Sequence, residues 1–254
     1  MGTLKGKRAL VTGASRGIGA AIAKAMAAEG AELGLVARSA DALRALKEEL
    51  QAGGTSCQCF EADLSTTAGV RQAAEAATRD GRPWHILVNN AGVAHQASLL
   101  EETGDAWDAL MGVNLRAPML LSQALVPGMI EAGGGKIVNI SSVAAFVGTP
   151  GFAAYAASKA ALNQLTRTMA VEWGEHDIQV NAVCPTIIMT DMGRQLWDRP
   201  DMEAARKIKQ ARIPVHRFGT PEEVADVVLF LVGPASRYVS GTCTPVDGGM
   251  LASP

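Results

Sequence analysis

Three residues in the middle of the chain have the types and spacing needed to donate a proton to a carbonyl oxygen. Ser142 is followed after twelve residues by Tyr155, and Lys159 comes four positions later. Tyr155 and Lys159 lie in an alanine-rich segment that favours a helix, so both side chains project from one helical face. The ammonium group would lower the pKa of the phenol from about 10, and Ser142 would supply a second donor. The alternative is a surface helix that carries an incidental Tyr and Lys.

A glycine-rich segment near the N-terminus has the composition of a phosphate-binding turn. The segment Thr12–Gly19 reads Thr-Gly-Ala-Ser-Arg-Gly-Ile-Gly, follows the first predicted strand and opens the first predicted helix. Glycine lets backbone N–H groups approach a pyrophosphate, which the helix N-terminus attracts. The predicted cofactor contacts are Gly13, Ser15, Arg16, Gly17, Ile18 and Gly19. A simple tight turn is the alternative, because the spacing differs from Gly-x-Gly-x-x-Gly.

Short apolar runs alternate with helical patterns along most of the chain. The predicted strands are residues 8–12, 33–37, 57–61, 86–89, 136–140, 179–184 and 243–246. The predicted helices are residues 18–29, 40–52, 68–79, 105–132, 155–174 and 222–232. Apolar strands with little alternation are typical of a parallel sheet covered on both faces. The pattern predicts an α/β protein, a single doubly wound Rossmann-type domain over residues 1–254 with a seven-stranded parallel sheet.

Residues 186–214 interrupt this alternation between the sixth strand and the last long helix. The segment is rich in Met and contains Trp197 and two prolines. We expect it to be an irregular, mobile flap that covers a substrate within the same domain.

Composition and charge disfavour several classes of partner. The formal net charge of −2 provides no basic field for nucleic acid or an anionic membrane. The N-terminus lacks a signal-like apolar segment, and no run of eighteen uncharged apolar residues follows, which indicates a cytoplasmic protein. No metal site is expected, because the four Cys and four His lack ligand spacing. These residues are Cys57, Cys59, Cys184, Cys243, His85, His95, His176 and His216.

Together with Asn89-Asn90-Ala91-Gly92 after the fourth strand, the glycine-rich turn and the Ser/Tyr/Lys spacing resemble the short-chain dehydrogenase/reductase family over nearly the whole chain. The resemblance implies that Tyr155 is the acid/base and that Ser142 polarises the carbonyl. It also implies that Lys159 binds the nicotinamide ribose and that Asn114 holds a water in a relay to Lys159. Further cofactor contacts implied by it are Asp63, Leu64, Asn90, Ala91, Gly92, Pro185, Ile188 and Thr190, besides Tyr155 and Lys159.

Asp63 would accept a hydrogen bond from the adenine amino group, and a helix cap is its alternative role. His95 follows the Asn-Asn-Ala-Gly loop and could contact substrate. By analogy with the family, a homo-oligomer, either a tetramer or a dimer, is expected.

The residues after the second strand indicate the choice of cofactor. An enzyme that prefers NAD has a carboxylate there for the ribose 2′-hydroxyl, and that carboxylate would repel a 2′-phosphate. This chain has Arg38 instead, and Arg16 in the glycine turn could add a second guanidinium group. The sequence therefore predicts NADP(H).

The expected activity is hydride transfer between NADP(H) and a carbonyl or secondary alcohol of a small substrate. The segment Val183–Gly193, with Trp197, resembles the L-xylulose/dicarbonyl reductase branch, which favours a sugar, polyol or dicarbonyl. A 3-oxoacyl-carrier-protein reductase is the main enzymatic alternative. A catalytically silent NADPH sensor is an alternative of another class, which the intact Asn/Ser/Tyr/Lys set disfavours.

Pro118 lies four residues after Asn114 in a predicted helix. Proline has no N–H to donate to the carbonyl of residue 114, so we predict a kink at residues 114–118 and a water on that carbonyl. The alternative is that Pro118 occupies the first turn of a helix that begins near Leu115.

Overall fold

The computed structural model describes residues 2–253, apart from the side chains of Met192 and Leu196. Seven parallel strands form one sheet in the order β3-β2-β1-β4-β5-β6-β7. The strands are β1 (Arg8–Thr12), β2 (Glu32–Ala37), β3 (Cys57–Glu61), β4 (Ile86–Asn89), β5 (Gly135–Ile140), β6 (Ile178–Pro185) and β7 (Cys243–Val246). The predicted doubly wound α/β fold is confirmed, and the strand bounds differ from prediction by one residue at most.

Helices cover both faces of this sheet. They are α1 (Gly17–Ala28), α2 (Ala40–Ala52), α3 (Thr67–Thr78), α4 (Gly104–Met111), α5 (Ala117–Glu131), α6 (Ala153–Trp173), α7 (Asp191–Trp197), α8 (Glu203–Ala211) and α9 (Pro221–Val232). On one face, α1, α2 and α9 pack on the sheet through side chains such as Ile22 and Val228. On the other face, α3, α5 and α6 pack through side chains such as Leu121 and Met169. Each face therefore has its own apolar core.

The segment predicted to be irregular is partly helical. Residues 186–214 contain α7 and α8, so the expectation of an irregular flap is wrong in that respect. Thr190 begins α7 by accepting a hydrogen bond from the Gly193 N–H at 3.1 Å. The short α7 and the two prolines hide the helical pattern in the sequence, because α7 spans only two turns.

The predicted helix over residues 105–132 is continuous but changes its winding. A π-helical turn, Gly112–Arg116, joins α4 to α5, and Ala117 N–H donates to the Gly112 carbonyl. The whole helix, Gly104–Glu131, is long and apolar enough to cross a membrane by length and composition alone. Half of its most apolar window is buried in the protein, as in a core helix.

Candidate active site

The sheet order reverses between β1 and β4, and a cleft of about 750 Å³ opens beyond the carboxyl ends of these strands. Crevices at such a switch point are where open α/β sheets bind their ligands. Twelve predicted cofactor residues line the cleft, namely Gly13, Ser15, Arg16, Gly17, Ile18, Arg38, Asp63, Leu64, Asn90, Ala91, Gly92 and Thr190. Eight further residues line the cleft without having been predicted from the sequence, among them Ser39 and Val113. The position of Ser39 directly after Arg38 was the available signal.

The glycine-rich turn has the geometry of a phosphate-binding loop. Gly13 and Gly17 have φ angles of 64° and 57°, which favour glycine. A Cβ on Gly19 would lie 2.3 Å from the Gly13 carbonyl oxygen, so Gly19 permits close packing of the turn rather than lining the cleft. Asn90 braces the turn, since its Nδ2 donates to the carbonyl oxygens of Thr12 at 2.9 Å and Gly13 at 3.1 Å.

The start of α1 differs from that of most other helices in the fold. A Ser or Thr side chain caps each of five helices, at Ser39, Thr66, Thr103, Thr190 and Thr220. At α1 the cap position is Arg16, and no side chain within residues 2–253 caps the first turn. The N–H groups of that turn therefore stay available to an anion, and their partial positive charge favours one.

Asp63 lies at the far end of the cleft, near Arg38. Its Oδ1 accepts a hydrogen bond from the Ser65 N–H at 3.0 Å, whereas Thr66 caps α3 by accepting from Gly69 N–H at 3.0 Å. The alternative role of Asp63 as a helix cap is therefore wrong. Hydrogen bonding to Ser65, with a smaller contribution from the Arg38 charge, lowers the pKa of Asp63, so this carboxylate is an acceptor at neutral pH.

Asn114 lies in the π-helical turn and is fully buried. Its Oδ1 accepts from Val93 N–H at 2.9 Å, and its Nδ2 donates to the Val93 carbonyl at 2.9 Å and to Ser158 Oγ at 3.0 Å. Both amide donors are thus used by the protein, and no pattern in the sequence identified Val93 or Ser158 as partners. A water relay through Asn114 would therefore use an acceptor, either the second lone pair of Oδ1 or the main-chain carbonyl.

Pro118 occupies the second position of α5, directly after the π-helical turn. The helix is not broken at residues 114–118, and its change of winding takes the place of the expected kink. The first-turn alternative therefore describes the position of Pro118 well, since a proline is tolerated there. The water on the Asn114 carbonyl remains a prediction.

Lys159 is buried in α6 with 3% of its surface exposed. Its Nζ donates a hydrogen bond to the Ile140 carbonyl at 2.8 Å and lies 5.7 Å from the centre of the Tyr155 ring. Gly92 lies beside it, because a Cβ on Gly92 would be 3.4 Å from both Lys159 Nζ and Asn114 Oδ1. Burial lowers the pKa of Lys159 to about 8.

Desolvation raises the pKa of Tyr155 above its ordinary value, and the nearby Ser142 hydroxyl opposes the rise. The net direction is opposite to the one expected from the Lys159 ammonium group, so that expectation is wrong for the protein chain alone. Burial has the largest effect because the phenolate would lose its solvation. A raised pKa keeps the phenol protonated, which is the form that can donate a proton.

Ser142 sits between β5 and α6 with 8% of its surface exposed. Its Oγ accepts a hydrogen bond from Ala144 N–H at 3.1 Å, which fixes the side chain and leaves its own hydrogen free to donate. The structure thus brings Ser142, Tyr155, Lys159 and Asn114 together next to Gly92, which lines the cleft, although none of the four lines it directly.

The remaining predicted contacts come from the end of β6 and the segment after it. Thr190 lies against the glycine turn, since a Cβ on Gly17 would be 3.0 Å from its methyl carbon. Pro185 ends β6 and Ile188 is buried beside Gly219, so neither lines the cleft. Their contacts with a nicotinamide ring stay predictions. Within residues 2–253, no group of three His, Cys, Asp or Glu side chains could hold a metal ion.

A dinucleotide cleft that ends at a Ser/Tyr/Lys set defines a class of oxidoreductases. The family model described as Enoyl-(Acyl carrier protein) reductase matches residues 13–251. L-Xylulose reductase of Bos taurus is 43% identical over 251 residues, which cover 98% of each chain. A 3-oxoacyl-[acyl-carrier-protein] reductase of Pseudomonas aeruginosa is 41% identical over 252 residues, covering 99% of this chain and 100% of the relative.

A solved structure of gluconate 5-dehydrogenase from Burkholderia cenocepacia, in complex with NADP and tartrate, superposes with a TM-score of 0.91. It is 34% identical and covers 99% of this chain and 97% of its own. The chain belongs to the short-chain dehydrogenase/reductase family and is an oxidoreductase.

Proposed function

We propose that the protein transfers a hydride between NADP(H) and a carbonyl or secondary alcohol of a small polar substrate. The observation that carries this proposal is the proximity of Ser142, Tyr155 and Lys159 to one another, with Lys159 beside Gly92 of the cleft lining. This arrangement supplies a proton donor where a nicotinamide ring bound in the cleft would present its hydride.

NADP(H) fits the residues at the outer end of the cleft. Arg38 follows β2 directly and lines the cleft together with Arg16. The guanidinium groups match the geometry and charge of a 2′-phosphate. No carboxylate stands between β2 and α2 to bind a free ribose 2′-hydroxyl, as the intervening residues are Arg38 and Ser39. NADP and NADPH complexes of similar structures support the same choice.

NADPH bound in the cleft would supply a hydride to the carbonyl carbon of the substrate. Ser142 donates a hydrogen bond to the carbonyl oxygen and polarises it. Tyr155 gives its proton to the same oxygen, so that one hydride and one proton together yield the alcohol. Lys159 holds the ribose and stabilises the phenolate that remains. In the oxidative direction, Tyr155 accepts the proton back.

Sugars and polyols are the substrates that the names of the relatives favour, and dicarbonyls are kept because of the resemblance of residues 183–193. L-Xylulose reductase and gluconate 5-dehydrogenase act, by their names, on polyhydroxylated molecules. The 3-oxoacyl-[acyl-carrier-protein] reductase similarity keeps acyl thioesters as the second candidate. A carrier protein would need a basic docking surface on this chain, and its net charge of −2 does not favour one.

The segment of residues 186–214 would act as the substrate flap within a single domain of residues 1–254. It is fixed at one end by Thr190 beside the glycine turn and at the other by Val215 N–H, which donates to the Gly248 carbonyl at 3.3 Å. Between these anchors, Trp197 packs on Phe218 with ring centres 5.2 Å apart. Movement of α7 and α8 between fixed ends would admit and enclose a substrate.

The protein would work in the cytoplasm as a homo-oligomer, a tetramer or a dimer. Val171, Phe230 and Tyr238 expose apolar surface that a second copy could cover, with 83%, 48% and 101% of their surface accessible. Light scattering coupled to size-exclusion chromatography measures this directly. A monomer at micromolar concentration would contradict it.

A substrate panel tests the proposed activity. Purified protein is assayed with NADPH and with NADH against L-xylulose, a simple diketone and a 3-oxoacyl thioester, and Tyr155→Phe serves as the blank. We expect turnover of the ketose or the diketone with NADPH. Turnover of the thioester alone would favour the second candidate, and no NADPH oxidation with any carbonyl would contradict the proposal.

A further inference from the structure

The loop that follows Gly92 is attached at one end to Asn114 and at the other to the segment before Tyr155. At its start, Val93 exchanges two hydrogen bonds with the Asn114 side chain, each 2.9 Å long. At its end, Ala97 N–H donates to the Gly151 carbonyl at 3.0 Å. Gly151 lies four residues before Tyr155, so this 93–97 loop spans from Asn114 to the segment that leads into the catalytic helix.

His95 lies midway between these two anchors, and its side chain contacts a carboxylate. The Nε2 atom of His95 is 3.6 Å from Oε1 of Glu102. The Glu102 side chain is only 8% exposed, whereas that of His95 is 45% exposed. Glu102 Oε1 is buried and has no hydrogen-bond partner among the described residues.

A buried carboxylate oxygen needs a donor, and the His95 ring can supply one with a small rotation. When Nε2 carries the proton toward Glu102, Nδ1 of the neutral ring carries a lone pair. The Glu102 contact therefore determines which nitrogen of His95 can accept a hydrogen bond. Because nearly half of the His95 side chain is exposed, a ligand can reach the side of the ring that faces away from Glu102.

We propose that His95 binds a hydroxyl group of the substrate through Nδ1, and that Glu102 positions the ring by holding the proton on Nε2. The inference rests on the proposed function and narrows it, because it favours hydroxylated ketones and polyols over plain diketones. A site that accepts a hydrogen bond from a substrate hydroxyl discriminates against analogues that lack it.

Kinetics with two carbonyl substrates test the contact. His95→Ala raises KM for L-xylulose by about five- to tenfold, the loss expected for one hydrogen bond, and leaves kcat within about threefold. For diacetyl, which has no hydroxyl group, KM stays within about twofold. Equal changes for both substrates, or no change for L-xylulose, would overturn the proposal.

Two substitutions at Glu102 separate positioning from folding. Glu102→Gln keeps an oxygen that can accept from Nε2 and retains the KM of the wild type for L-xylulose. Glu102→Leu removes the acceptor and raises that KM without changing the values for diacetyl. His176→Ala is the matched control, because His176 also lies near a carboxylate, 3.8 Å from Glu175, but on a helix end away from the site. It leaves both substrates unaffected.

Nitrogen-15 NMR of the histidine rings gives a readout that does not depend on turnover. The chain has four histidines, and the His95 signals are assigned by their loss in His95→Ala. We expect a proton on Nε2 in the wild type and in Glu102→Gln, and a mixture of tautomers in Glu102→Leu. A wild-type ring protonated mainly on Nδ1 would overturn the inference.

The two measurements also distinguish the inference from the function on which it rests. If neither carbonyl is reduced with NADPH, the proposed function is wrong, and the NMR result still tests the role of Glu102. If diacetyl and L-xylulose are both reduced but the His95 variants treat them alike, the function stands and the inference is wrong.

Discussion

Buried cations have different partners at the two ends of the parallel strands. We call the end where the strands begin the amino edge of the sheet and the end where they finish the carboxyl edge. At the amino edge, Arg8 begins β1 with 2% of its surface exposed. Its guanidinium group lies 2.7 Å from Asp80 Oδ2 and 3.2 Å from Glu32 Oε1, and it stacks 4.1 Å above the ring of Trp84. It also donates to the Arg82 carbonyl at 2.7 Å. The positive charge of Arg8 is thus paired with carboxylates, and most of its hydrogen-bond donors have partners within the protein.

At the carboxyl edge, Lys159 is buried to the same degree without a carboxylate. Its only hydrogen bond to a residue that the structure describes is the one to the Ile140 carbonyl. The Cys184 thiol is the neighbouring group that interacts with its charge, and burial lowers the pKa of Lys159 to about 8. Arg38 at the same edge lines the cleft, and it forms no salt bridge with any residue that the structure describes.

The comparison distinguishes a cation that stabilises the fold, Arg8, from cations that are available to a ligand, Lys159 and Arg38. A buried cation that is paired with carboxylates has little capacity left to bind a substrate or cofactor, whereas one without a carboxylate can still interact with a ribose or a phosphate. Four predictions test this contrast, and each changes one edge while the other serves as its control.

Tyr155→Phe has the largest expected effect, and it is confined to the carboxyl edge. The substitution removes the proton-donating oxygen and keeps the ring, so kcat falls by about 10²- to 10⁴-fold. NADPH affinity, followed by the quenching of tryptophan fluorescence, stays nearly intact, and the urea midpoint does not drop. Turnover within tenfold of the wild type would contradict the role of Tyr155.

Arg8→Met changes the amino edge alone. Removing the guanidinium group takes the ion pair from Asp80, whereas Glu32 keeps its pair with Arg82, so the free energy of unfolding should fall by about 2–4 kcal/mol. Urea denaturation measures this loss. The specific activity of the folded fraction stays within twofold, because the cluster lies at the opposite edge from the cleft. A parallel loss of kcat in fully folded protein would show that the two edges are coupled.

Lys159→Met should instead stabilise the fold at neutral pH while it destroys activity. The pKa of Lys159 falls from 10.5 to about 8 on folding, so the folded state disfavours the charged form. That penalty, about 3 kcal/mol, is fully present below pH 8 and disappears as the pH rises toward 10.5. The loss of the bond to Ile140 offsets part of the gain.

Urea unfolding of the wild type and the variant at pH 7 and pH 10 measures the effect. We expect the stability advantage of Lys159→Met to be larger at pH 7 than at pH 10. An advantage that is the same at both pH values would show that the buried ammonium carries no such penalty. NADPH affinity and kcat of the variant should both fall, since the ammonium serves the ribose and the phenol.

The backbone elements that carry this site could be predicted from the sequence more accurately than the pKa of Tyr155 within it. Apolar runs and glycine spacing located β1 and the turn at Gly13, because backbone geometry is encoded locally. Desolvation of Tyr155 could not be predicted, since it depends on how distant segments pack around the phenol. Pro118 signalled a departure from regular helix, but the π-helical form of that departure depends on the contacts of Asn114 with Val93 and Ser158.

Arg38→Asp has the smallest expected effect and compares two arginines directly. Arg38 would bind the 2′-phosphate, whereas Arg8 is satisfied within the protein, so only the Arg38 variant should change cofactor choice. A charge-assisted contact contributes about 1.5–3 kcal/mol, and the new carboxylate would repel the phosphate. The ratio of kcat/KM for NADPH to that for NADH should therefore fall by at least tenfold. Arg38→Gln, which removes the charge without adding a carboxylate, should lie between the wild type and Arg38→Asp. A wild type that already prefers NADH would refute the argument, and equal ratios in all three proteins would place the phosphate contact elsewhere in the cleft.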